Sequence, residues 1–403
     1  MPTPNPVDFY SRYMVETFDQ RDVQATPRAF QSFFGNSAGG GITHFSVDEM
    51  TVDIDILKAN GERLAAMVHR GQSSSPTDVK NVTDYEWSNI NRKWPLIEIS
   101  SNINSTQLLK RQPGENPYQR RTQLDRNRQL ARDAHNDHIR KSVRTNEYCA
   151  MQSILTGKQP AIIGTTNAAW IYDYYRLASH IIGVPVPWDN GAQDILADID
   201  NALDIGRQDS FRHLDFLAIG GDAMRAFIKD TTVKSLADIK NYELIRVGDN
   251  FQPPAKYNRF TQAGWTAVAQ LITPKGKRVW IFTNNDIYTD SAGDSQNYMP
   301  LDKAFLLSSQ ARFDRYFGPR DRLPVTQSEA MWYQEYFGFS MMAPPMPANV
   351  MTEGGIVVPE AFYFDAYMPD GKKTVVIRTQ SAPIYATTET DAIVVLEDLI
   401  TPP

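Results

Sequence analysis

The chain has 403 residues, with 41 Lys and Arg against 47 Asp and Glu, and a formal net charge of −6. That length suffices for two or more domains, and the acidic balance argues against a nucleic-acid binder working over its whole surface. One cysteine, Cys149, excludes an intrachain disulfide, and neither a signal pattern nor a run approaching ~18 apolar residues occurs, so the chain reads as soluble, without a membrane partner, and made for a reducing compartment.

Residues 1–44 read as an arm. Pro2, Pro4 and Pro6 open it, and Gly35 to Gly41 end it loosely. Its aromatic residues Phe9, Tyr10, Tyr13, Phe18, Phe30, Phe33 and Phe34 are too many for a free linker and need a surface to bury against, which points to another subunit.

Residues 45–100 read as a long two-stranded excursion. Met50, Val52, Ile54 and Ile56 follow period two, with Thr51, Asp53 and Asp55 on the opposite face. The tip, from His69 to Asn81, has a flexible composition, and the expected return strand is WPLIEIS. Such a hairpin is marginal alone and wants a partner to lie on.

Asn116 to Gly157 reads as one helix spanning 117–156. Asn116 suits the N-cap, Pro117 the first position, and Gly157 the left-handed stop. Leu124, Ala131, Ala134, Ile139, Val143, Ala150 and Ile154 form only a narrow apolar seam. Around it lie Arg120, Arg121, Arg126, Arg128, Arg132, Arg140, Lys141 and Arg144, with four acids interspersed. Such a helix is expected along a surface, with i,i+4 pairs such as Asp137–Lys141, as a strut against other subunits rather than a DNA reader.

Beyond it, QPAIIGTTNAAWIYDYYR suggests strands. A second helix is expected with Asp189 or Asn190 near its start and Ile195, Ile199, Ala202 and Leu203 on one face. From about Phe211 the pattern becomes α/β: DFLAIG is a buried strand, GDAMRAFIKD a short helix, and KRVWIFTNNDIYTD and AFLLSSQARFDRYFG strands. Residues 341–359 read as a connection, and KKTVVIRTQSAPIYAT and AIVVLEDLI as closing strands.

The six histidines form no ligand motif, and His135 and His138 read as a surface pair. Cys149 reads as a small packed side chain. The AIGGDA run, Ala218 to Ala223, lacks the spacing and lysine of a phosphate loop and reads as a tight strand-to-helix turn. No catalytic residue, metal ligand or cofactor is expected. What remains is architectural: a first portion of the chain whose apolar surface is expected to be buried by copies of itself.

Several stretches carry a resemblance. They are RKSVRTNEYCAMQSILTGK, with Arg144, Glu147 and the Leu155–Thr156–Gly157 stop; PWDNGAQDILADIDNAL; VWIFTNNDIYTDSAGDSQNYMPLDKAFLLSS; RFDRYFGP; and TVVIRTQSAPIYAT. In order and spacing, from about residue 45 to the end, the chain resembles the lambda-type major capsid protein family of tailed bacteriophages, which has the Hong Kong 97-like fold. The resemblance implies an α+β chain. Its parts are an arm (1–44), an extended loop (45–103), a peripheral domain (104–209 and 346–403) carrying the spine helix, and an axial domain (210–345). It also implies a structural, non-enzymatic protein that assembles into pentamers and hexamers of an icosahedral head around double-stranded DNA, in the host cytoplasm and then the virion. Portal, scaffold and decoration proteins are the implied partners, with DNA held inside without sequence-specific binding. Candidate intersubunit contacts are Phe9, Tyr13, Phe33 and Phe34 in the arm, Lys58, Arg63 and Lys80 in the loop, and Arg120, Arg121 and Arg128 in the helix. Rival readings are a cellular nanocompartment shell of the same fold and a soluble enzyme using the AIGGDA turn.

Overall fold

A computed structural model describes residues 28–35, 41–45, 51–59, 85–104, 123–161, 171–191, 193–238, 253–290, 293–318, 363–367 and 374–401. Its centre is a mixed six-stranded sheet. In spatial order the strands are β7 (Ile181–Gly183), β18 (Ile393–Glu397), β13 (Ala304–Leu307), β8 (Phe216–Ile219), β10 (Arg278–Thr283) and β9 (Thr266–Ile272). The central strands are apolar at every position because both faces of the sheet are covered.

Alternation still sorts the side chains by face. Phe216, Ala218, Phe305, Leu307, Ile393 and Val395 point to one side. Leu217, Ile219, Ala304, Leu306, Val394 and Leu396 point to the other. The second face is covered by α2 (Ile195–Ser210) and α3 (Gly221–Lys229), through Ile195, Ile199, Leu203, Ala223 and Phe227. The first is covered by the end of the long helix and by the turn Phe30–Phe33.

The long helix, α1, runs Gln123–Thr156, 34 residues or roughly 50 Å at ~1.5 Å each. It stops at Gly157, whose φ is +70°; the expected cap at Asn116 lies outside the described residues. The Asp137–Lys141 pair forms at 2.7 Å. The surface-strut expectation needs correcting for the C-terminal half: Ser142, Val143, Asn146, Glu147, Cys149, Ala150, Met151, Ser153, Ile154 and Leu155 are all buried. Polar residues on the seated face hid it from a hydrophobicity pattern. Arg176 closes the helix by donating to the carbonyls of Ser153 and Leu155, both at 3.1 Å; Leu155 O is among the last carbonyls that a helix terminus leaves without partners, while Ser153 O also accepts from Gly157 N at 3.2 Å.

The hairpin also differs from expectation. β2 (Thr51–Ala59) pairs antiparallel with β3 (Tyr85–Lys93), Ile54 opposite Ile90. The WPLIEIS stretch instead forms β4 (Ile97–Asn104), which pairs with β16 (Thr374–Ser381) beside β15 (Tyr363–Tyr367). Pro95 separates β3 from β4, since proline offers no ladder donor. Val52, Ile54, Ile56 and Ile90 pack on Tyr172, Tyr174, Tyr316 and Ile384 of the same chain, while Asp53 and Asp55 stay exposed.

Smaller pairs complete the body: β1 (Thr43–Phe45) with β14 (Asp314–Phe317) and β17 (Pro383–Ala386), β5 (Lys158–Pro160) with β6 (Ile171–Asp173), and β11 (Ile287–Thr289) with β12 (Ser295–Asn297). α2 is capped by Asp194, which accepts from Ala197 N at 3.1 Å, rather than by Asp189 or Asn190. Asp189 instead accepts from the Thr401 backbone and hydroxyl. The AIGGDA turn is a close approach: a Cβ on Gly220 would sit 2.0 Å from the Pro300 carbonyl oxygen. The expected peripheral–axial division passes through the central sheet, because β7 and β18 from the former complete the strands of the latter.

Candidate functional site

The buried polar groups of the described residues gather at joints between distant segments. The first joint seats the Phe30–Phe33 turn. Both oxygens of Glu147 accept backbone N–H groups from it, Phe30 N at 2.7 Å and Gln31 N at 3.2 Å. The Gln31 amide donates to Val143 O at 3.0 Å, and the Trp265 indole donates to Ala29 O at 2.7 Å. Phe30 and Phe33 stack edgewise or tilted on Trp265, with centroids 5.2 and 5.7 Å away, and Phe34 lies 5.2 Å from Tyr385. Burial dominates at Glu147 and pushes its carboxyl up to about 7, against the pull of the two N–H bonds and Arg28. Cys149, packed in the same cluster, is pushed up to about 12 by burial.

The second joint is Asp215. It accepts from Ser309 N and Ser309 Oγ, both at 2.7 Å, from Tyr257 Oη at 2.8 Å, and from Lys256 Nζ. Burial acts to raise this carboxyl, but the bonds from Lys256, Ser309 and Tyr257 together hold it below the ordinary range. A carboxylate this fully engaged ties the loop after β13 and the Ala255–Tyr257 turn to β8; it is a structural anchor.

Two further joints involve groups read from sequence as surface or left unassigned. His138 is fully buried rather than part of a surface pair; its Nε2 lies 2.7 Å from Ser101 Oγ and its Nδ1 2.9 Å from Thr379 Oγ1, which fixes α1 to β4 and β16. Burial lowers its pKa. Asp314 accepts from Arg312, from Thr388 Oγ1 at 3.1 Å and from Ile42 N at 2.8 Å, joining β14 to the chain on either side. Among the described residues no group of three His, Cys, Asp or Glu could hold a metal, and no helix is long and apolar enough to cross a membrane.

Of the ten candidate contact residues, Phe9, Tyr13, Arg63, Lys80, Arg120 and Arg121 lie outside the described residues, and Arg128 is described only as a backbone position in α1. Phe33 and Phe34 are corrected. They are 2% and 4% exposed inside the chain's own core, so neither is free to contact a neighbour. Lys58 is half-buried near the end of β2, where the neighbouring Leu57 N donates to Thr388 O at 2.9 Å. Sequence reasoning named Glu147 only within a resembling stretch and missed Arg176, Asp215 and Trp265; their bonds to other segments leave no signal in local pattern.

The sequence profile described as phage major capsid protein E matches residues 27–397. The chain belongs to that family. As a phage major capsid protein it is structural rather than enzymatic, self-assembles into a capsid shell, and is part of the virion. The curated proteins give no match. Among solved structures, a protein assigned as the capsid protein of an E. coli CFT073 prophage aligns at 16% identity and TM-score 0.57, over 96% of this chain and 98% of that one. This supports the fold of the capsid protein as the α+β Hong Kong 97-like one. The capsid of Ralstonia phage GP4 aligns at 8% identity and TM-score 0.44, over 95% and 94%. An encapsulin complex of Synechococcus elongatus PCC 7942 aligns at 12% and 0.38, over 89% and 87%. These last two superpose only loosely despite that coverage.

Proposed function

We propose that this capsid protein forms the pentamers and hexamers of an icosahedral head that encloses double-stranded DNA, assembled in the host cytoplasm with a portal, a scaffold and a decoration protein. The observation that carries the reading is the family match over residues 27–397. The net charge of −6 agrees with it, because a strongly basic lining would hold packaged DNA too tightly. Repeated heterologous contacts that close by rotation give such a shell, and many weak contacts per subunit make it stable.

Within this reading the subunit consists of the arm, extended loop, peripheral and axial portions expected from sequence, with the last two sharing the central sheet and the end of the arm seated in the core. Lys58, Arg63, Lys80, Arg120, Arg121 and Arg128 remain the contact residues, with Phe9 and Tyr13 of the arm. Nuclease treatment of purified particles tests the role. Protected double-stranded DNA of uniform length is expected; particles that hold a protein cargo and no DNA would favour a nanocompartment.

A further inference from the structure

We propose that Glu147 is a proton-controlled clasp: protonated, it keeps the Phe30–Phe33 turn seated on α1, and ionised, it lets that turn open more often. The geometry places one carboxyl, 1% exposed, between two segments that meet nowhere near each other in sequence. Its two oxygens hold consecutive N–H groups of the turn. Among the described residues no cation forms an ion pair with it, so its charge is met by two backbone N–H groups and by Arg28 only at longer range.

The groups around it come from every packed element. Arg28 of the arm favours its ionised form, and Asp286, after β10, opposes it. Tyr298 and Tyr385 sense its charge; Tyr298 also senses Arg144 of α1 and donates its hydroxyl to the Arg144 carbonyl. Both tyrosines are buried and stay neutral, since burial raises each of them.

The sign follows from linkage. With the turn open, the carboxyl is solvated and near its ordinary 4.5; with the turn closed it is raised to about 7. The closed state therefore binds the proton more tightly. Its extra stability is full below pH ~4.5 and is lost as pH rises through about 7. Opening becomes more frequent by up to roughly tenfold per pH unit across that window. The three phenylalanines keep the turn closed most of the time, so the clasp tunes transient opening and does not release the turn outright.

Cys149 offers the readout. It is the sole cysteine, buried, two residues after Glu147 and in one cluster with Phe30, Phe33 and Phe34. In the full-length chain, labelling by an aromatic disulfide reagent is followed from pH 5 to 9 and normalised at each pH to the rate in denaturant, which removes the thiol's own ionisation. Wild type should label at least tenfold faster at pH 8.5 than at pH 5.5, and Glu147→Gln should be flat. Asp286→Asn should move the wild-type midpoint to lower pH, and Arg28→Gln to higher pH. These two variants keep the test sharp if Glu147→Gln does not fold. A flat wild-type profile, or midpoints unmoved by both variants, overturns the proposal.

Discussion

The indole N–H of Trp265 donates to the carbonyl oxygen of Ala29 at 2.7 Å, across 236 positions of sequence. Both groups are buried, and Ser32 Oγ also donates to the Ala29 carbonyl, so that oxygen keeps one partner when the indole is removed. Trp265→Phe keeps most of the ring contact and loses the bond. It should cost about 0.5–1.5 kcal/mol, read as a lower denaturant midpoint of the unassembled protein. An unchanged midpoint would mean the turn is held by packing alone.

Two N-terminal truncations should separate the arm into distinct parts. Removal of residues 1–27 leaves the buried turn intact and should give a folded protein. Removal of residues 1–34 takes away Phe30, Phe33 and Phe34, all in the core. Each such loss is worth roughly 3–5 kcal/mol, so the longer truncation should be insoluble or molten. Circular dichroism melting distinguishes them, and equal melting temperatures would contradict the assigned packing.

The engaged carboxylate of Asp215 implies a defined acid limit. Its folded value is held below the ordinary 3.8, so its contribution is full above pH ~4 and is lost as pH falls through the folded value. Asp215→Asn should destabilise the chain by about 2–3 kcal/mol at pH 7, mostly through the buried bonds from Ser309 and Tyr257. Lys256 is 49% exposed and adds little. The gap between variant and wild type should narrow below pH 4; a gap that stays constant from pH 7 to pH 3 would show the carboxylate is not the titrating group.

The shell should be held without covalent links. Attack by a lysine amine on an amide needs a desolvated, deprotonated amine beside a base. Lys93 is exposed and Lys58 only half-buried, and neither has the dry pocket such chemistry requires. Particles boiled in detergent under reducing conditions should run as one band near 45.6 kDa. A ladder of pentamer- and hexamer-sized bands would show a crosslink.

Much of the fold was legible because burial on both faces leaves continuous apolar runs. Phe216–Ile219, Ala304–Leu307 and Ile393–Glu397 are such runs, and each is a strand of the central sheet. Gly157 marked the helix stop for a different, local reason, a positive φ that glycine tolerates. Pairing was less legible. YEWSNINRK carries few apolar residues and is the partner of β2, whereas the more apolar WPLIEIS pairs with a strand nearly 300 residues on. Register depends on which face another segment covers, and that is a tertiary fact. Val143, Ala150 and Ile154 of the expected seam are buried, but the width of the seated face of α1 was missed because Ser142, Asn146, Glu147 and Ser153 occupy buried positions that usually hold apolar residues. The arm's aromatic content did signal a need for burial, but composition could not say that the surface covering Phe30, Phe33 and Phe34 belongs to the same chain.

This chain is the repeating subunit of a capsid shell. Electron microscopy of the expressed full-length protein, with mass measurement of the particles, tests it most directly. Fivefold and sixfold capsomers, free or in closed shells, are expected, with masses that are integer multiples of 45.6 kDa. A protein that stays monomeric or dimeric at every concentration and with every co-expressed phage partner would contradict it.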